Sequence, residues 1–263
     1  MPELPDVEIF RKYLDKTASH QSIKKVEVFA KDILDGVSEK QLQSKVKGRQ
    51  IESTKRHGKY LFTRLSGDDW AVFHFGMTGY LDYFKDEGDA PKHTRALFSF
   101  DNGYHLAFVL QRKLGEVALT EDIGIFVKKR GLGPDALDRK FDVQAFKEAV
   151  KQRKSSIKSA LMDQKHIAGI GNIYSDEILF QARLHPKARA NQLSNRDLER
   201  LFKAMKEVLE TAIDSQANPA KMPEHYLLPK REKGGKCPAC GGEIAKTKVS
   251  GRSAYFCPKC QSY

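Results

Sequence analysis

The chain's four cysteines stand as two pairs, Cys237-Pro-Ala-Cys240 and Cys257-Pro-Lys-Cys260, with sixteen residues between the pairs. Two CxxC pairs at that separation supply four thiolates to one tetrahedral zinc, a closed structural site with no open position for chemistry. Two disulfides are the alternative, disfavoured for a chain read as cytosolic. Between the pairs, Lys246-Thr247-Lys248-Val249 and Ser253-Ala254-Tyr255-Phe256 alternate around Ser250-Gly251-Arg252. That pattern predicts a β-hairpin whose tip presents Arg252, flanked by Lys246, Lys248 and Lys259, to a phosphate or a minor groove. In the plainer reading Arg252 merely solvates a turn.

A second constellation opens the chain. Loss of Met1 before the small Pro2 would expose a secondary amine at the mouth of the first helix. Such an amine attacks a carbonyl-like carbon and forms an iminium, and the positive end of a helix dipole lowers its pKa toward the nucleophilic form. Met-Pro openings are common, so this signal is weak alone. A third lies at Gln164 to Tyr174, where Gly169 and Gly171 free the backbone to bring N–H groups to an anion at the next helix, with the Asn172 amide beside them. No GK[ST] ending follows and no strand precedes, which excludes a phosphate-binding loop of nucleotide enzymes and a dinucleotide fingerprint. A helix–turn–helix on a DNA backbone is the favoured reading, an ordinary tight helix connection the other.

These groups need elements to hold them. The chain has 263 residues, 40% hydrophobic and 10% aromatic, enough for a buried core. Lys and Arg number 46 against 34 acids, a net charge of +12, and the pI is near 9.4. That excess favours a polyanion, because neutralising phosphates releases counterions; a basic surface without such a partner is the alternative. No apolar run approaches a membrane span and no signal-peptide pattern opens the chain, so a soluble cytoplasmic protein is expected.

Residues 5–15 carry a helical face of Val7, Phe10 and Leu14. Alternating runs at 25–28, 60–63, 70–73 and 96–100 predict antiparallel strands, with Asn102-Gly103 as a hairpin turn. Beyond Pro134, residues 141–153, 156–162, 172–182 and 194–215 show helical periodicity, with Asp142, Ser194 and Asn195 as candidate caps. Residues 218–235, rich in Pro, Lys and Gly, read as a mobile linker. The expected fold is α+β: an N-terminal antiparallel β-sandwich with a flanking helix, a C-terminal helical domain and a terminal β-hairpin zinc finger.

The stretches Pro2-Glu3-Leu4-Pro5-Asp6-Val7-Glu8, Gly58-Lys59-Tyr60-Leu61, His74-Phe75-Gly76-Met77-Thr78-Gly79 and Leu132-Gly133-Pro134 together resemble formamidopyrimidine-DNA glycosylases. Met162-Asp163-Gln164 through Tyr174, followed by Glu177, is similar to that family's helix–two-turn–helix, and Gly251-Arg252 among the cysteines to its zinc finger. The resemblance covers essentially the whole chain, in order. It identifies a member of the formamidopyrimidine-DNA glycosylase and endonuclease VIII superfamily, nearer the former by its Pro-Glu-Leu-Pro start.

The resemblance implies domains at 1–132 (catalytic sandwich), 133–222 (helix–two-turn–helix) and 223–263 (a lesion-capping segment, within about 218–233, and the four-cysteine finger). Pro2 becomes the nucleophile at C1′, Glu3 the general acid and proton shuttle, and Lys59 a phosphate contact that assists at the lesion. Asn172 and Arg252 grip the backbone around an extruded nucleotide; Met77, Arg112 and His93 also contact DNA. Two departures stand out: Leu114 replaces an aromatic wedge in Gln111-Arg112-Lys113-Leu114-Gly115, and Asp6 replaces a usual Glu. The expected protein is a monomeric bifunctional glycosylase and AP lyase. It would act on damaged double-stranded DNA, removing oxidised purines such as 8-oxoguanine and formamidopyrimidines, with one structural zinc and no nucleotide cofactor. An endonuclease VIII-like preference for oxidised pyrimidines is the alternative within the superfamily. Outside it stand a damaged-DNA-binding protein without catalysis and a zinc-finger transcription factor.

Overall fold

A computed structural model describes residues 1–112 and 114–261. The chain divides into two compact units, one formed by residues 1–2 and 6–130, the other by 3–5 and 131–263. Helix α1 (Leu4–Thr17) therefore begins with residues of the second unit and continues in the first.

In the first unit, α1 is followed by β1 (Ile23–Val28), α2 (Glu39–Val46), β2 (Ile51–His57), β3 (Tyr60–Leu65), β4 (Trp70–His74), β5 (Tyr80–Phe84), β6 (Thr94–Phe100), β7 (His105–Val109), β8 (Glu116–Thr120) and α3 (Ile123–Lys129). The strands form two four-stranded sheets, β1-β6-β7-β5 and β2-β3-β4-β8, antiparallel throughout. Their inner faces share one core: Val26, Phe98, Leu106 and Phe108 of the first meet Ile51, Leu61, Phe73 and Val117 of the second, with Val7 and Leu14 of α1. Phe73 packs edge-on against Phe98 and Phe108, at centroid distances of 5.8 and 5.4 Å. The outer face of the second sheet is apolar too, because Phe126 of α3 covers Phe62, Trp70, Val72 and Ala118. This is the expected sandwich. Asn102-Gly103 turns β6 into β7, with Gly103 at φ +82°.

The second unit contains α4 (Val143–Lys151), α5 (Ile157–Met162), α6 (Asn172–Gln181), α7 (Asn195–Asp214) and the hairpin of β9 (Ala245–Val249) and β10 (Arg252–Phe256). Asp142, Ser156 and Ser194 cap α4, α5 and α7 through side-chain oxygens that accept backbone N–H bonds. Asn195, a candidate cap by sequence, is instead the first helical residue: Ser194 takes the cap because Asp197, three residues on, returns the bond as a capping box. Residues Tyr174 to Phe180 of α6 are all buried, so this helix runs through the unit's core. The stretch expected to be mobile is packed as well: Met222, Tyr226, Leu227 and Leu228 are buried, and Tyr226 donates its hydroxyl to Thr211 Oγ1 at 3.1 Å. No helix among the described residues is long and apolar enough to cross a membrane.

Replacing Ser194 by Ala should remove the hydroxyl that accepts from Asp197 N and donates to its carboxylate, leaving only the backbone half of the capping box, and cost about 1 kcal/mol. Urea unfolding of the variant, with an unchanged m-value, checks this.

Candidate active site and zinc centre

Glu3 is completely buried although it stands one residue before a helix. Burial of a carboxylate demands donors, and the turn before α6 supplies them. Gly171 N donates to Oε2 at 2.7 Å, Tyr174 N to Oε2 at 3.2 Å and Ile173 N to Oε1 at 2.8 Å. The anion recognised by the glycine-rich turn is therefore the chain's own Glu3. A helix N-terminus presents unsatisfied N–H groups and a positive dipole end, which suit a carboxylate. Leu4 N donates to Gly169 O at 3.0 Å, and Gln164 bonds Met162 O, Ile170 O and Gly169 N, so the turn is closed on both sides.

Two glycines make this approach possible. Gly169 sits at φ +116°, and a Cβ there would lie 2.9 Å from Leu4 Cβ. At Gly171 a Cβ would fall inside the Glu3 carboxyl group and 2.7 Å from its Cγ. Asn172 follows; its side-chain Oδ1 is buried without a hydrogen-bond partner among the described residues. Its carbonyl accepts from Lys158 Nζ at 3.0 Å and Arg231 Nη2 at 3.4 Å.

Sequence patterns do not single out Lys158, Asp176 and Arg231. Lys158 is wholly buried and burial pushes its pKa down, opposed by Asp176. A Lys inside the short helix Ile157–Met162 and three polar residues, Ser175-Asp176-Glu177, inside an otherwise apolar helix are the available signals. Glu177 accepts from Leu227 N at 3.1 Å, Leu228 N at 2.7 Å and Gln181 Nε2 at 2.8 Å, which fastens the segment read as a linker.

Arg252 opens β10 opposite Val249, and Ser250 and Gly251, both at positive φ, form the two-residue turn. The tip is anchored: Ser250 Oγ lies 2.7 Å from Ser159 Oγ, and Arg252 Nη1 is 3.8 Å from Met162 Sδ. Below it, the Sγ atoms of Cys237, Cys240, Cys257 and Cys260 all lie within 4.8 Å of one another, with separations of 3.8 Å for Cys237–Cys260 and 3.5 Å for Cys240–Cys257. A tetrahedron of Zn–S bonds of about 2.3 Å has edges of roughly 3.8 Å. The donor set fits one structural zinc.

The first unit holds Pro2, Lys59, Met77, His93 and Arg112. Lys59 lies in the turn between β2 and β3, where Gly58 adopts φ +56°. Tyr60, His74 and Glu116 pair across three strands beside it. Burial, with the charges of Lys59 and Arg130, lowers the His74 pKa to about 4, and burial raises Tyr60 to about 12. Arg130 pairs with Asp35 and, at 2.8 Å, with Glu116.

Met77 and Leu114 are 39% and 52% exposed, on two turns held side by side. A Cβ on Gly76 would lie 2.5 Å from the Leu114 carbonyl carbon, and Arg112 N donates to Thr78 Oγ1 at 3.4 Å. Lys113 of the same turn lies outside the described residues. The His93 backbone, at φ +70°, accepts from Leu110 N at 3.0 Å, and the His93 Nδ1 is 3.4 Å from Arg95 Nη2.

A sandwich and a helical unit with a buried N-terminal acid and a four-cysteine hairpin define a class shared with known proteins. The family model for the formamidopyrimidine-DNA glycosylase N-terminal domain matches residues 1–117, and that for the formamidopyrimidine-DNA glycosylase H2TH domain matches 132–223. The zinc finger found in FPG and IleRS matches 234–262. The formamidopyrimidine-DNA glycosylase of Heliobacterium modesticaldum is 35% identical across 99% of this chain and 100% of its own. That of Enterococcus faecalis is 32% identical across 99% and 97%. Solved structures of the Lactococcus lactis enzyme, one with FAPY-dG-containing DNA and one non-covalently bound to DNA with an AP site, each superpose with a TM-score of 0.91 at 31% identity. Each covers 99% of this chain and 100% of the other. The chain belongs to the formamidopyrimidine-DNA glycosylase family.

Gly171→Ala should expel the Glu3 carboxylate from its three donors and cost roughly 2–4 kcal/mol, as expected when a buried charged acceptor loses its hydrogen bonds. Faster amide exchange at Ile173 and Tyr174, together with a lower urea midpoint, is the expected result.

Burial raises the Glu177 pKa from 4.5 to about 7. Between those values the folded chain keeps a proton that the unfolded chain has released, so this group's stabilisation is full below pH 4.5 and is lost as pH rises through 7. A tenfold difference in proton affinity between the two states is worth about 1.4 kcal/mol. Urea midpoints of the wild type should therefore fall more steeply between pH 5 and 8 than those of Glu177→Gln; parallel curves would disprove the assignment.

Proposed function

We propose that the chain is a bifunctional DNA glycosylase and AP lyase that excises oxidised bases from double-stranded DNA, with 8-oxoguanine and formamidopyrimidines as its main substrates. The observation that carries the reading is the state of Glu3. The acid next in chain to Pro2 is withdrawn from water and oriented by three backbone N–H groups. A carboxylate that only favoured a helix start could remain solvated; one that must hand over protons at a fixed point gains from preorganisation.

Once Met1 is removed, the Pro2 nitrogen attacks C1′ of the lesion. The C1′–N bond breaks and the base leaves with its electron pair and a proton. The sugar ring opens as O4′ is protonated, leaving an iminium between Pro2 and C1′. Glu3 carries these protons. The iminium acidifies C2′–H, and loss of that proton expels the 3′ phosphate; a second elimination expels the 5′ phosphate. Lys59, Asn172 and Arg252 hold phosphates around the extruded nucleotide, with His93 and Arg112 as further backbone contacts. Met77, on its exposed turn, enters the space the base vacates. Residues 1–132 bear the nucleophile, 133–222 the helix–two-turn–helix, and 223–263 the capping segment and the finger. The protein works as a monomer in the cytoplasm and needs no nucleotide cofactor.

Duplexes bearing 8-oxoguanine, thymine glycol or an abasic site, incubated with borohydride, test this. The 8-oxoguanine and abasic duplexes should give a trapped covalent adduct that disappears in Pro2→Gly. Absence of an adduct on every duplex sinks the enzyme reading, and faster trapping on thymine glycol moves the preference to oxidised pyrimidines.

A further inference from the structure

Asp176 lies at the centre of the second unit, 1% exposed, with both carboxylate oxygens engaged. Oδ1 accepts from Lys158 Nζ at 2.6 Å. Oδ2 accepts from Arg231 Nε at 2.9 Å, Arg231 Nη2 at 2.7 Å and the backbone N–H of Tyr255 at 3.2 Å. Lys158 reaches onward to Ser175 Oγ at 2.8 Å and to the Asn172 carbonyl, which Arg231 also touches. The Arg231 guanidinium lies 4.6 Å from the centre of the Tyr255 ring. Four elements thus meet at one carboxylate: α5 through Lys158, α6 itself, the packed segment after α7 through Arg231, and β10 through Tyr255.

The ends of this network are the groups read as binding DNA and moving protons. Tyr255 is three residues from Arg252 on the same five-residue strand. Asn172 lies between Gly171 and Ile173, whose N–H groups hold Glu3. An unbroken polar path runs from the Tyr255 N–H through Asp176 and Lys158 to the Asn172 carbonyl, and on through the peptide units of the turn to the Glu3 carboxylate. Its charges balance, Lys158 and Arg231 against Asp176 and Glu3. Pairing of this kind is what a buried cluster requires, and removing one member leaves the opposite charge without a partner.

We propose that Asp176 is a positioning residue for the glycosylase reaction, setting the Arg252 hairpin in register with the turn that leads into Asn172 and holds Glu3. The proposal rests on the reading of Arg252 and Asn172 as the grip on the lesion strand. Zinc closes the finger on itself; Asp176 sets where the finger points. Without that carboxylate, Lys158 and Arg231 face each other across the space it filled, the Tyr255 N–H loses its acceptor, and the hairpin is released in mid-strand while its cysteines stay closed.

Affinity for a duplex with a tetrahydrofuran abasic analogue, measured for the wild type, Asp176→Asn, Arg252→Ala and the double variant, tests this, with zinc content recorded for each. Asp176→Asn should keep one zinc per chain and bind about tenfold more weakly. In the Arg252→Ala background it should cost less than threefold, because residues that act through one another are not additive. A general loss of stability would instead weaken both backgrounds equally. Should Asp176→Asn fail to fold, Arg231→Lys, which keeps the charge but loses the two-toothed bond and the stacking, takes its place in the cycle with the same expectation. Multiplicative losses, or an Asp176→Asn chain that binds like the wild type, overturn the proposal. A wild type that binds no such duplex, or is indifferent to Arg252→Ala, overturns the reading beneath it and this proposal with it.

Discussion

The buried carboxylate of Glu3 is the constraint to which the rest of the chain conforms. Three backbone N–H groups at the start of α6 hold an acid that precedes them by 168 to 171 residues. To deliver it, residues 3–5 must leave the unit that contains residues 1–2 and 6–130 and pack in the other. Leu4 accordingly joins the core around α6, whereas Val7, one turn later, joins that of the sandwich. Gly171 has no side chain because the carboxylate occupies that space, and Gly169 has none because Leu4 does. A turn that looks ready for a phosphate has its own anion already in place, the carboxylate of Glu3.

That arrangement has a consequence for α6. A helix buried on all sides has no solvent face for polar groups, yet α6 carries Ser175, Asp176 and Glu177 in succession. Each is satisfied: Lys158 donates to both Ser175 and Asp176, Arg231 and Tyr255 donate to Asp176, and Leu227, Leu228 and Gln181 donate to Glu177. Buried polar networks of this kind are high-stakes, since an unsatisfied member costs more than its bond contributes. Here they add to apolar contact in holding a Pro- and Lys-rich stretch and a small metal module against the helix.

Much of the fold is legible in the sequence because local signals agree with one another. Periodicity and caps place α4 to α7 within two residues at each end, and Asn102-Gly103 marks a hairpin whose strands follow at once. Strand β2 escapes such a reading because Ile51-Glu52-Ser53-Thr54-Lys55-Arg56-His57 is mostly polar, as an edge strand can be. Helix α3 escapes it because Ile123-Gly124-Ile125-Phe126-Val127 lacks a polar face. Residue types point to the chemistry of Pro2, Glu3 and the cysteines. They do not show what Glu3 touches, since no local pattern encodes a partner 168 residues away. The Pro-rich stretch reads as mobile for the same reason: its composition is that of a linker, and the acid that fastens it is Glu177, 50 residues upstream of Leu227.

The zinc finger shows why two fastenings are needed. A module of under 30 residues cannot bury enough apolar surface to hold its own shape, and a metal supplies what its core lacks. Zinc makes the hairpin rigid but says nothing about its direction, because four thiolates of one short segment close only on one another. Direction must come from contacts outside the metal site. Among the described residues they include the pairing of Ser250 and Ser159 at the tip, Asp176 on the Tyr255 N–H in mid-strand, a small apolar cluster of Phe180, Leu227 and Ile244 at the base, and Gln261 Nε2 donating to Leu184 O at 2.9 Å. Of these contacts, the one in mid-strand involves a buried charge and continues toward the turn that holds Glu3. Rigidity and aim are thus separate properties of the finger, one contributed by the metal and the other by its contacts with the helical unit, with the buried carboxylate of α6 among them.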